Sequence, residues 1–180
     1  MPTFVALLRG INVGKAKRVP MEALRGLLAG LGYGNVKTLL NSGNAVFQAP
    51  GTSGPAHARA VVRAISESLS VEVPVIVKSA KQLAAIIDEN PFAGVAADHS
   101  QLLVAFTQDE HSLSALRSVE ALVAPPESFM VGKHAAYLHC AAGILGSKAA
   151  EALLGKLGKA ATTRNWATTL KLHALASSDA

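Results

Sequence analysis

Cysteine occurs once in 180 residues, at Cys140, so no disulfide can form within the chain and the expected setting is the reducing cytoplasm. Aromatic residues make up 4% against a hydrophobic share of 50%. The interior must therefore be built from Ala, Val, Leu and Ile, and that much apolar material argues against disorder. Long apolar runs are missing: none approaches the ~18 residues that span a bilayer. Thr3-Phe4-Val5-Ala6-Leu7-Leu8 meets Arg9 too early for a signal peptide and has no cationic leader, so no membrane partner is expected. There is no Gly-x-Ser-x-Gly elbow and no evident pair of carboxylates, which leaves catalysis without a signature. The six histidines lack metal-ligand spacing, and His139-Cys140, adjacent in an expected strand, point to opposite faces. Neither a metal nor a cofactor is implied.

What is present is charge of one sign in two places. The formal net charge is +5. Arg9, Lys15, Lys17, Arg18 and Arg25 stand against Glu22 alone, and Lys148, Lys156, Lys159, Arg164 and Lys171 against Glu151 alone, each segment carrying +4 while the remainder is mildly acidic. Two basic segments on such a background suit an anion-facing surface, although solvated lysines on an ordinary surface would read the same way.

Hydrophobic periodicity divides the chain into two similar halves. In the first, residues 3–8 read as a buried strand, followed by a glycine-rich basic loop. Pro20 opens a helix with Met21, Leu24, Leu28 and Leu31 at spacings of three and four. Strands over 36–40 and 45–48 flank Asn41-Ser42-Gly43-Asn44, a hairpin turn composition. Val61, Ala64, Ile65 and Leu69 mark a second helix, and 71–77 a strand in which Pro74 indicates a sheet edge. Ser79 and Gln82 form a capping box for a connector, residues 79–100. The order returns as strand 102–107, a helix near 113–122, strands 129–131 and 135–139, helix 148–157, an extended piece at 161–163, and a last helix carrying Trp166, Leu170 and His173. The expectation is an α+β protein of two ferredoxin-like β-α-β-β-α-β sandwiches, 1–78 and 101–180, joined by the connector helix and carrying an extra C-terminal helix. First and third strands are expected to run parallel, placing the two glycine loops at equivalent edges of their halves. Such a chain is long enough to bury about two-thirds of its unfolded surface.

Three segments are candidate sites. Arg9-Gly10-Ile11-Asn12-Val13-Gly14-Lys15-Ala16-Lys17-Arg18 lies between a strand and a helix, where glycines let backbone N–H groups approach an anion and lysines add charge. It is not a Walker A loop, having three residues between glycine and Gly-Lys, and Ala16 in place of a hydroxyl. Gly143-Ile144-Leu145-Gly146-Ser147-Lys148 precedes another helix, with Ser147 equally placed as an N-cap. Thr162-Thr163-Arg164-Asn165-Trp166 combines a guanidinium fork, an amide and a stacking face; alternatively, Thr162 or Thr163 caps the last helix and Trp166 anchors it in the core. The ligand-binding set read from these is Arg9, Asn12, Gly14, Lys15, Lys17, Gly146, Ser147, Lys148, Arg164 and Asn165.

Phe4 to Gly14, Val19-Pro20-Met21, Asn41 to Asn44, Asn90-Pro91-Phe92, Tyr137-Leu138-His139 and Thr162 to Trp166 together resemble the bacterial domain-of-unknown-function family numbered 1697 over nearly the whole chain. One departure is Lys15, where members often carry a second glycine. The resemblance implies two ferredoxin-like subdomains and no particular activity. The leading functional expectation is a binder of a phosphate-bearing or other anionic ligand, nucleotide or nucleic acid, through the basic glycine-rich loops. An enzyme acting on an anionic small molecule through Arg9, Asn12, Lys17, Lys148, Arg164 and Asn165 is the alternative, and a structural or partner-binding role the third; oligomeric state is left open.

Overall fold

The computed structural model describes residues 1–178. It is an α+β protein with two four-stranded antiparallel sheets and, among the described residues, six α-helices. The chain divides into two compact units, one of Met1–Leu83 with the chain from Leu172 onward, the other of Ala84–Lys171. Of the stretch 101–180, Asp179 and Ala180 lie outside the described residues.

The first unit runs β1 (Thr3–Leu8), α1 (Met21–Gly30), β2 (Gly34–Leu39), β3 (Asn44–Gln48), α2 (Gly54–Leu69) and β4 (Val75–Ser79), with sheet order β2-β3-β1-β4. β1 is a central strand, and its run from Phe4 to Leu8 is apolar and buried. Phe4, Ala6 and Leu8 pack with Leu24 and Leu28 of α1 and with Val61 and Ile65 of α2. Pro20 is the N-cap of α1 rather than its first residue, its carbonyl accepting from Leu24 N–H at 3.0 Å. β4 is an edge strand, as Pro74 indicated, but begins at Val75; the proline carbonyl instead receives Arg9 N–H at 3.0 Å. Three of the few aromatics gather here: Phe47 stacks on Tyr33 at 4.5 Å and on Phe4 at 5.8 Å.

α3 (Ala80–Glu89) leads from the first unit into the second. Its capping box forms: Ser79 N–H donates to Gln82 Oε1 at 2.9 Å, and Gln82 N–H to Ser79 Oγ at 3.1 Å. The second unit continues β5 (Leu102–Thr107), α4 (Glu110–Ala115), β6 (Ser128–Val131), β7 (Ala136–His139), α5 (Lys148–Leu154) and β8 (Ala161–Asn165), and α6 (Trp166–Ser177) follows directly. Sheet order is β6-β7-β5-β8. The expected helix near 113–122 is α4 prolonged by a 3-10 segment, Leu116–Leu122, whose Leu116 and Val119 are buried.

Strand direction corrects one expectation. β1 and β3 are antiparallel, Thr3↔Gln48 through Leu7↔Asn44, and so are β5 and β7, Leu102↔His139 through Ala105↔Ala136. The crossover through α1 returns β2 parallel to β1, and the hairpin then reverses the chain, so the third strand must oppose the first. The loops after β1 and after β7 therefore leave non-equivalent edges of their own sheets. β7 and β8 both oppose β5 and run parallel to each other, so Gly143–Lys148 and the start of α6 leave the same edge of the second sheet.

Candidate functional site

The loop after β1 is a braced lobe. Asn12 takes a left-handed φ of 56° and Lys17 one of 50°, which asparagine tolerates better than most residues. Asn12 N–H donates to Lys17 O at 3.1 Å and Val13 bridges to Ala16, closing a miniature hairpin. The Asn12 side chain locks its base: Nδ2 donates to Val19 O and to Asn41 O, and Oδ1 accepts from Val19 N–H, each at 2.8 Å. Ile11 and Val19, on either side, are buried. The lobe is thereby fastened to the β2–β3 turn, where Leu8 N–H donates to Gly43 O at 2.8 Å and buried Asn44 donates through Nδ2 to Leu39 O at 2.8 Å. Gly43 has φ 94°, and a Cβ there would lie 2.7 Å from Leu8 Cβ. Asn12 is thus occupied in holding the chain, while Val13, Gly14, Lys15, Ala16, Lys17 and Arg18 are exposed. Arg9 is half-buried, and burial lowers its pKa from the ordinary guanidinium value.

The loop before α5 is organised differently. Ser147 is buried and caps the helix, Oγ accepting Ala150 N–H at 3.1 Å, while buried Cys140 donates its S–H toward the same oxygen at 3.9 Å. Burial raises the Cys140 thiol pKa more than that contact lowers it. Gly143 and Gly146 supply φ values of 102° and 86° that the tight turn requires. Gly146 and Lys148 remain exposed. They border a groove of about 320 Å³ whose other wall is Leu122, Pro125, Pro126 and Glu127, with a cis bond between the prolines. The sequence reading missed this wall; Pro125-Pro126 was the available signal, since consecutive prolines mark irregular chain.

Arg164 and Asn165 serve the fold. Arg164 is buried in β8, donating from one nitrogen to Thr162 Oγ1 at 2.8 Å and Thr163 O at 2.9 Å, and burial lowers its pKa to about 10. Asn165 caps α6 through Oδ1, which accepts Thr168 N–H at 2.8 Å. Trp166 is buried at the head of that helix. Of the ten residues singled out, Asn12, Ser147, Arg164 and Asn165 have their polar groups engaged in local structure; Gly14, Lys15, Lys17, Gly146 and Lys148 face solvent, and Arg9 is intermediate. The first unit brings Arg9, Asn12, Gly14, Lys15 and Lys17 together on one loop. Among the described residues no three His, Cys, Asp or Glu side chains are grouped to hold a metal ion, and no helix is long and apolar enough to cross a membrane.

No curated protein matches the chain. Among solved structures, a conserved bacterial protein from Streptococcus pneumoniae is similar at 23% identity with a TM-score of 0.76, covering 97% of this chain and 98% of that one; at that identity the likeness concerns the fold. A family model described as "Protein of unknown function (DUF1697)" matches residues 1–137, which is most of the sequence, and the chain belongs to that family.

Proposed function

We propose that the lobe between β1 and α1 is a binding surface for phosphate-bearing polymers, with nucleic acid the first class to test. The observation that carries this reading is the division of labour within the lobe: Asn12 fixes the backbone from inside while Lys15, Lys17 and Arg18 present three cations to solvent. Holding the cations on a closed loop reduces the backbone ordering cost on binding, and closely spaced cations gain by counterion release from a polyphosphate. The enzyme alternative has less support, because of its constellation Asn12 is committed to a turn and Asn165 to a cap, and Arg164 is buried in β8.

Each unit reads further as a ferredoxin-like sandwich. The order β-α-β-β-α-β, the strand orders 2-3-1-4 and 6-7-5-8, and antiparallel neighbours throughout support it. Base stacking on the first sheet is not part of the proposal: Phe4 and Phe47, the aromatics of β1 and β3, are both buried, whereas an RNA-recognition sheet displays its rings. Recognition would thus be of backbone phosphates with little sequence preference. Titrating short RNA, duplex DNA, ATP and pyrophosphate at low salt tests it. Both polymers should bind and the small anions should bind far more weakly; no binding of either polymer would overturn the proposal.

A further inference from the structure

The turn between β6 and β7 closes around a carboxylate. Glu89, the last residue of α3, reaches it across more than 40 residues of sequence. Its Oε1 accepts the backbone N–H groups of Lys133 and, at 3.2 Å, His134. Its Oε2 lies 3.1 Å from His134 N–H, 3.3 Å from Ala135 N–H and 2.8 Å from the Tyr137 hydroxyl. Tyr137 is buried, and its single O–H hydrogen is shared between Glu89 and the Ile86 carbonyl at 2.6 Å. Burial and the neighbouring carboxylate both raise the phenol's pKa, keeping it a donor. Gly132 is fitted to the same group, since a Cβ there would fall on the Glu89 carboxylate.

Reversing the chain between β6 and β7 does not call for this. The bond from Gly132 N–H to Ala135 O, 2.8 Å, already closes the turn. Three successive backbone N–H groups converging on one point form a nest, a concavity suited to an anion, and donors distributed over two oxygens match a carboxylate. The same contacts fasten the end of α3 to the second sheet.

We propose that this turn is a carboxylate-binding site whose resident ligand is the chain's own Glu89, and that it accepts a small monocarboxylate from solution once that side chain is removed. The carboxylate is the ligand and the turn its receptor; Glu89, placed at the end of α3, keeps the site filled.

The test is thermal unfolding of Glu89→Ala in formate or acetate, against chloride at matched ionic strength. The variant should melt below wild type and regain part of the loss in a saturable way with formate, because a ligand that binds only the folded state raises its stability. Wild type should show no saturable response. A variant that melts with wild type, or a formate effect equal in both proteins, overturns the proposal. Amide exchange on wild type gives a second readout that needs no truncated variant. The Lys133, His134 and Ala135 amides should exchange at least about tenfold slower than open turn amides, and Glu89→Gln should speed them. Exchange of all three at open-turn rates in wild type also overturns it.

Discussion

The two glycine-rich basic loops look alike in sequence and do opposite things with their polar groups. In the loop after β1, one asparagine satisfies the backbone from within, so the cations are left to solvent. In the loop before α5, the serine is used as a cap on a helix of seven residues, and a single lysine follows it. Glycine and lysine content alone does not separate these cases. What separates them is whether a second segment braces the loop: the β2–β3 turn does so through Asn41 in the first, and the second is stabilised by its own helix.

The sharpest way to break the first loop is at its brace. Gly43→Ala would force a side chain at φ 94° to within 2.7 Å of Leu8 Cβ and 2.8 Å of Ile11 Cδ1. We expect a loss of about 3 kcal/mol in stability, combining backbone strain with overpacking, measurable by urea unfolding. Asn12→Ala removes three hydrogen bonds at 2.8 Å and should cost about 2 kcal/mol. Its binding signature is more telling: polyanion affinity should drop while the salt dependence stays as in wild type, because no phosphate contact is removed. A reduced salt slope for this variant would mean that the asparagine touches the ligand.

Ser147→Ala is the matching change in the second loop. Losing its cap should cost about 1 kcal/mol and leave polyanion binding untouched; weakened binding would end the distinction between the loops. Arg164→Ala should likewise leave binding unchanged, since the guanidinium is buried. Burial lowers its pKa only to about 10, so the guanidinium stays charged in both folded and unfolded states through the physiological range and contributes no pH dependence there. From roughly pH 5 to 8, the variant's stability profile should run parallel to that of wild type.

The elements themselves were legible because hydrophobic periodicity is local. Helical spacing located α1 and α2, and Ser147 was recognisable as a cap; Pro74 was read inside the edge strand and lies just before it. Strand direction was misread although the order of connections determines it: a crossover followed by a hairpin must leave the third strand opposed to the first. The rest depended on partners distant in sequence. Asn12 meets Asn41 across 29 residues and Glu89 meets Lys133 across 44, and neither residue type carries a local sign of its partner. Nor was the local engagement of Arg164 and Asn165 legible, because a guanidinium and an amide beside a tryptophan look like recognition chemistry and their burial and capping depend on the fold.

The most direct measurement compares Lys17→Ala with Lys148→Ala in the salt dependence of RNA or DNA binding, by fluorescence anisotropy. Each cation neutralising a phosphate contributes about one unit to the slope of log affinity against log salt. Lys17→Ala, and equally Lys15→Ala or Arg18→Ala, should lower the slope by about 1, and Lys148→Ala should leave it as in wild type. A slope that falls equally for Lys17 and Lys148, or one that none of the three lobe substitutions changes, would contradict the assignment of binding to the braced lobe.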